Sequence, residues 1–149
     1  MAATVEAIFV CLAHRLPMRR MSKVLAIADK GLEGCAHAQR GTPRQVLLID
    51  AETLAELDLL PGAIKENIVT RGLDVRQLNR GQRLRIGEAL LEATLPCAPC
   101  KRMDAIRPGL QKLLRGRRGM LFRVIEGGYI GEGDPVQPQD PGPPSGDSQ

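Results

Sequence analysis

Residues 95–103, LPCAPCKRM, hold two of the chain's four cysteines. Cys97 and Cys100 are separated by Ala98 and Pro99, and Lys101 and Arg102 follow directly. Two thiols at that spacing suit four roles: half of a zinc site, a redox pair, two core residues, or one working sulfur with a bystander. A structural zinc site takes four ligands, usually as two close pairs. Cys35 with His37, or Cys11 with His14, could supply the second pair, although Cys11 and His14 span a strand and its exit loop. A thioredoxin-like redox pair opens a helix inside a strand–helix–strand unit, whereas this pair follows a strand in a pattern rich in strands. Cys11, within IFVCL, reads as a small buried hydrophobe. Cys100 differs because adjacent cations stabilise a thiolate, the form that acts as nucleophile and metal ligand. Pro96 and Pro99 favour an extended loop, since proline fixes its own φ and restricts the residue before it.

The elements that must position these thiols are mostly short strands. Val5–Leu12, Val24–Ala28 and Gln45–Ile49 are apolar segments of strand length. Arg83–Ile86 and Ala89–Leu95 flank Gly87-Glu88 and predict a hairpin. Met120–Glu126 and Tyr129–Val136 flank Gly127-Gly128, a dipeptide suited to a two-residue turn, and predict a second hairpin. Two helices interrupt the strands. Ala51–Asp58 has Asp50 as its N-cap and Pro61-Gly62 as its stop. Pro108–Arg115 begins on proline and ends at Gly116, with Lys112 and Arg115 near its negative end. Many strands without a strand–helix alternation predict a mainly β chain folded as one compact β-barrel.

The chain has 149 residues, enough for one domain. From Asp134 it reads DPVQPQDPGPPSGDSQ, with five prolines, three acids and a single apolar side chain, Val136. Such a segment buries too little to offset its ordering entropy. The expected organisation is therefore a folded domain over 1–137 and a disordered tail over 138–149. Setting aside the tail's Asp134, Asp140 and Asp147 leaves 21 cations against 14 of the 17 acids, about +7 for the body. That charge suits an anionic small molecule. One Tyr, two Phe and no Trp leave few platforms for stacking nucleic-acid bases. No apolar run approaches the ~20 residues of a membrane span, and the N-terminus lacks the cations of a signal peptide. These features predict a cytoplasmic protein with reduced thiols, bound to neither nucleic acid nor membrane.

Five blocks in order resemble the MOSC domains, the C-terminal domain type of molybdenum cofactor sulfurases. They are GLEGCAH at 31–37, RQVLLI at 44–49, PGAIKENIVTRGLD at 61–74, NRGQRLRIGEALLEATLPCAPC at 79–100 and RRGMLFRVIEGGYIGEGDPV at 117–136. The resemblance implies a MOSC barrel, of the pyruvate-kinase-barrel-like type, with two short flanking helices. It also implies a site for molybdenum cofactor (molybdopterin) or its sulfur chemistry. Cys100 matches the signature cysteine, as a thiolate ligand of molybdenum or a persulfide carrier, and Cys97 is then the bystander or at most a resolving thiol. A soft thiolate is a fitting ligand for molybdenum. The pterin's phosphate calls for a basic pocket, to which the resemblance assigns Asn67, Thr70, Arg71 and Gly72, with His37, Lys101 and Arg102 nearby. Read without the resemblance, ENIVTRG is simply a strand followed by a turn. One departure is that Gly34-Cys35-Ala36-His37 stands where relatives commonly read Gly-Asp-x-His.

Three functions follow from this reading: an oxidoreductase acting on N-hydroxylated compounds, a non-catalytic carrier of sulfur or cofactor, and a zinc-stabilised binding module. The first needs a separate electron-donor protein, because the chain has no flavin, haem or iron–sulfur signature. The second needs a sulfur donor.

Overall fold

The computed structural model describes residues 2–140. Its strands are β1 (Ala3–Val10), β2 (Arg19–Met21), β3 (Lys23–Ile27), β4 (Gly31–Leu32), β5 (Val46–Asp50), β6 (Ile68–Arg71), β7 (Arg83–Ile86), β8 (Ala89–Pro96), β9 (Met120–Glu126), β10 (Gly128–Gly131) and β11 (Pro135–Gln139). Seven of them pair in the order β1-β6-β5-β9-β8-β7-β11, and β11 returns to β1 through Ala3 opposite Val136. The result is a closed barrel. Closure removes the free edges that a sheet of this length would otherwise present. β5 and β6 are the parallel neighbours; the other barrel pairs run antiparallel. A small sheet of β10, β3 and β4 lies beside the barrel, and β2 extends β1.

Leu, Ile and Val fill the barrel, as a chain poor in aromatics requires. Ile8, Leu48, Ile68, Leu84, Ile86, Leu91 and Phe122 are fully buried in one cluster, joined by Cys11 and Cys35. A second cluster, including Phe9, Ile49, Leu54, Met103 and Leu110, seats the helices on the barrel's outer surface. α1 (Ala51–Glu56) begins where expected, because Asp50 accepts a hydrogen bond from the Thr53 amide at 2.9 Å. The same carboxylate accepts the Thr53 hydroxyl at 2.7 Å, so this buried acid is satisfied.

The Arg83–Ile86/Ala89 hairpin forms as predicted, with Ile86 opposite Ala89. The second predicted hairpin does not. β9 pairs with β8 and β5, whereas β10 crosses to β3 and β11 to β7 and β1. Gly127 and Gly128 serve close packing and not a positive-φ turn. A Cβ on Gly127 would lie 2.8 Å from the Ala26 carbonyl oxygen, and one on Gly128 would lie 2.8 Å from the Glu88 carbonyl carbon.

The helix predicted over 108–115 is shorter, α3 (Leu110–Leu113), and follows Gly109 instead of starting on Pro108. An unpredicted helix, α2 (Arg102–Ile106), begins just after the LPCAPC stretch. β11 continues through Gln139, with Pro138 opposite Leu84 and Gln139 opposite Arg83. The barrel thus takes two residues that composition assigned to the tail, because backbone pairing to β7 needs little from their side chains. Of the rest of the predicted tail, Asp140 belongs to no element and 141–149 lie outside the described residues.

Candidate functional site

β8 ends at Pro96, and the chain leaves the barrel through Cys97, whose amide donates to the Gly119 carbonyl at 3.0 Å. The thiol of Cys97 is buried and forms part of the wall of a cavity of about 510 Å³. This volume lies in the range of small-molecule sites, roughly 300–1,000 Å³. The wall also carries His14, His37, Gln39, Thr42, Arg44, Gln45, Lys65, Asn67 and Arg118, with Leu47 and Leu121 as apolar patches. Among these lining residues are three permanent cations, two imidazoles and no carboxylate.

Arg118 ties the cavity together. One terminal nitrogen donates to Cys97 Sγ at 3.1 Å and to the Ala98 carbonyl at 3.3 Å. The other donates to the Ile64 carbonyl at 3.0 Å. Its Nε is buried with no hydrogen-bond partner among the described residues. Ile64 belongs to the loop that leads into β6, and Glu66 holds that loop by accepting the amides of Gly62 at 2.6 Å and Ile64 at 3.2 Å. Burial pushes the Glu66 carboxyl up, against the pull of these amides and of the Arg118 charge. Lys65, between them, adopts a left-handed backbone conformation (φ 68°) that costs an ordinary side chain on the order of 1 kcal/mol. Its ammonium donates to the Leu16 carbonyl at 2.9 Å.

Asn67 joins three parts of the wall. Its Oδ1 accepts the Leu47 amide at 2.9 Å, and its Nδ2 donates to the Phe9 carbonyl at 3.1 Å. The same amide nitrogen lies 3.5 Å from Cys35 Sγ, which also accepts the Cys11 amide at 3.4 Å. Burial pushes the Cys35 thiol up. Hydrogen bonds from the His37 side chain and the backbone amides of Cys11 and His37, together with the His37 charge, more than reverse this and bring it to about 7. The ring of His14 stands 5.8 Å from that of His37. Cys35 therefore acts as an acceptor for His37.

Burial also pushes the Cys97 thiol up. The charges of Arg118 and Arg44 oppose that shift, while a charge on nearby Cys100 adds to it. Cys100 itself is exposed. Its carbonyl accepts the Met103 amide at 3.0 Å in the first turn of α2. Lys101 and Arg102 are exposed beside it.

The residues that the sequence nominated are not all brought together. His37 and Asn67 face the cavity; Cys100, Lys101 and Arg102 lie outside its lining. Thr70 is fully buried, and its hydroxyl has no hydrogen-bond partner among the described residues. Arg71 forms an exposed ion pair with Glu6 at 2.8 Å, and the Gly72 amide donates to Glu52 at 3.0 Å. A strand rises ~3.3 Å per residue, so Asn67 and Arg71 sit about 13 Å apart along it. The cavity's cations, Arg44, Lys65 and Arg118, come from three separate loops, and sequence spacing gave no sign of their meeting. The Cys11–His14 and Cys35–His37 spacings did mark a real neighbourhood.

The MOSC domain model matches residues 36–137, and the chain belongs to that family. Among solved structures, the YUAD protein from Bacillus subtilis superposes with a TM-score of 0.76 at 20% identity, covering 93% of this chain and 96% of that one. YiiM from Geobacillus stearothermophilus gives 0.76 at 20% identity, covering 93% and 75%. YiiM from Escherichia coli gives 0.69 at 22% identity, covering 92% and 70%. At these identities the likeness establishes the shared fold. No curated protein matches the chain. Among the described residues, no helix is long and apolar enough to cross a membrane. Nor do three or more His, Cys, Asp or Glu side chains group as metal ligands there.

Proposed function

We propose that this MOSC domain binds molybdenum cofactor, or a sulfurated precursor of it, in the Arg44–Lys65–Arg118 cavity and acts as a carrier of its sulfur. The carrying observation is a ligand-sized cavity with three cations, no lining carboxylate and a thiol in its wall. Arg44, Lys65 and Arg118 suit a phosphate, with guanidinium forks able to bind it in bidentate fashion. Asn67 and Gln45 are pinned by backbone partners, at 2.9 Å from the Leu47 amide and 3.0 Å from the Val124 amide, so they offer a rigid polar wall. Leu47 and Leu121 suit the face of a pterin. When bound, the cofactor supplies a soft metal centre able to take sulfur ligands.

Between carriage and reduction, the exposure of Cys100 favours carriage, since a thiol open to solvent can meet a sulfur donor. The test is pterin and metal analysis of protein made in cells that assemble the cofactor, alongside an Arg44→Ala/Arg118→Ala double variant. Stoichiometric molybdopterin in the parent, reduced at least ten-fold in the folded double variant, is the expected result. Protein free of pterin, or stoichiometric zinc lost only on unfolding, overturns the proposal. Turnover of an N-hydroxylated base with a supplied electron donor would replace carriage with catalysis.

A further inference from the structure

Two thiols three residues apart differ in exposure. Cys97 is buried in the cavity wall against Arg118, and Cys100 is exposed at the start of α2. We infer that Cys97 is a second working sulfur, which takes a sulfane sulfur from Cys100 and presents it inside the cavity. The inference rests on the sulfur-carriage reading above and supplies its missing step, since Cys100 does not itself line the cavity.

The chemistry is an exchange between the chain's own residues. A persulfide donor, protein or small molecule, leaves an outer sulfur on Cys100. The Cys97 thiolate attacks that outer sulfur. A new S–S bond forms at Cys97, the S–S bond to Cys100 breaks, and its electron pair leaves on the Cys100 sulfur. The proton given up by Cys97 is matched by the one Cys100 takes back. No sulfur is gained or lost, and nothing is oxidised or reduced overall.

Three features of the fold support the exchange. The short loop from 97 to 100 keeps the two sulfurs in one neighbourhood, close enough that a charge on Cys100 disfavours one on Cys97. The loop is anchored at both ends, by the Cys97 amide on Gly119 at 3.0 Å and the Cys100 carbonyl on the Met103 amide at 3.0 Å. The receiving end is set by geometry: Arg118 donates to Cys97 Sγ at 3.1 Å, so a sulfur arriving there meets a cationic hydrogen-bond donor in the cavity wall. Burial then shields the loaded sulfur from solvent thiols.

The test uses the full chain with one equivalent of glutathione persulfide, quenched at intervals with an alkylating label. Peptide fragmentation separates Cys97 from Cys100. Label should reach Cys100 first and then accumulate at Cys97. Cys97→Ser, or Cys97→Ala if the serine variant folds poorly, should leave the sulfur on Cys100. Cys100→Ser should slow loading of Cys97 at least ten-fold. Equal loading of Cys97 in Cys100→Ser overturns the inference, as does a parent chain loaded at Cys100 alone. Stoichiometric release of hydrogen sulfide with a Cys97–Cys100 disulfide also overturns it, since Cys97 would then resolve the persulfide and not receive it. The two readings fail separately: cofactor bound without loading of Cys97 defeats the relay, whereas transfer to Cys97 in protein that binds no pterin defeats the cavity assignment.

Discussion

Replacing Cys35 with serine should cost stability that depends on pH, and the sign of the dependence is fixed by the fold. Cys35 is 7% exposed. Burial alone would raise its pKa, but the hydrogen bonds from His37 and the Cys11 and His37 amides, with the His37 charge, lower it from 9.0 to about 7. Between pH 7 and 9 the unfolded chain keeps a proton that the folded chain has released. Stability from this group therefore rises with pH across that window, is fully present above 9, and is lost as pH falls through about 7. The gap from 9.0 to about 7 corresponds to about 2.7 kcal/mol. Screening reduces this to a working figure on the order of 1–2 kcal/mol.

Urea denaturation of the parent and Cys35→Ser, at pH 6, 7, 8 and 9 with thiols kept reduced, reads this directly. Titrating groups away from this pair are common to both chains and cancel in the difference, which therefore reads the coupled Cys35–His37 pair. That difference should grow by about 1–2 kcal/mol from pH 6 to pH 9. Cys35→Asp, which is charged throughout the range, should flatten the dependence. Parallel stability curves for parent and Cys35→Ser would show that Cys35 stays protonated and would refute the argument, and a difference that shrinks with rising pH would reverse it.

Other consequences are simpler. Asn67→Ala strands the buried Leu47 amide and Phe9 carbonyl and should destabilise the chain by about 2–4 kcal/mol in urea. Glu66→Gln replaces one of two acceptors of the Gly62 and Ile64 amides with a donor; a loss of about 1–3 kcal/mol and weaker cavity binding of inorganic pyrophosphate are expected. Gly128→Ala drives a methyl against the Glu88 backbone at 2.8 Å and should cost about 1–3 kcal/mol by thermal melting. Arg118→Met removes the cation bonded to Cys97 Sγ, so alkylation of Cys97 in a Cys100→Ser background should slow several-fold at pH 8.

The parts of the fold that can be read from sequence are those whose local pattern agrees with their tertiary role. Arg83–Ile86 alternates intermediate and buried positions, and its turn to Ala89 closes locally, so the hairpin is visible in the chain. Gly127-Gly128 carries the same local signal with a different cause: backbone from β3 and from the Glu88 turn approaches too closely for a Cβ. Only the packing distinguishes the two. α2 spans five residues with no side-chain cap, too short for periodicity to mark and dependent on Met103 packing beneath it. The site divides in the same way. Asn67 and His37 could be named from motif blocks, whereas Arg118 sits in RGRRG, where nothing local separates a cavity cation from a solvated one.

The Gly34-Cys35-Ala36-His37 segment shows how a thiol can take the part of an acid beside a histidine. An acid at position 35 would offer His37 a charged acceptor at every physiological pH. The thiol offers one only when ionised, and against burial the fold supplies the donors that ionise it: the His37 side chain first, then the Cys11 amide at 3.4 Å and the His37 amide. Cys35 is not among the lining residues, so its negative charge stands behind His37 and leaves the cationic surface of the cavity open to an anion. Cys97 works the other way: its thiol faces the cavity, burial holds it neutral, and Arg118 and Arg44 bear on it from the same space where the anion is proposed to sit. Occupancy of the cavity should therefore act mainly on Cys97. An anion that neutralises Arg118 and Arg44 removes the charges that oppose burial at Cys97, while Cys35 keeps its hydrogen bonds from the His37 side chain and the Cys11 and His37 amides. A sulfur transfer that requires the Cys97 thiolate would then run best before the cavity fills, which places loading ahead of ligand binding.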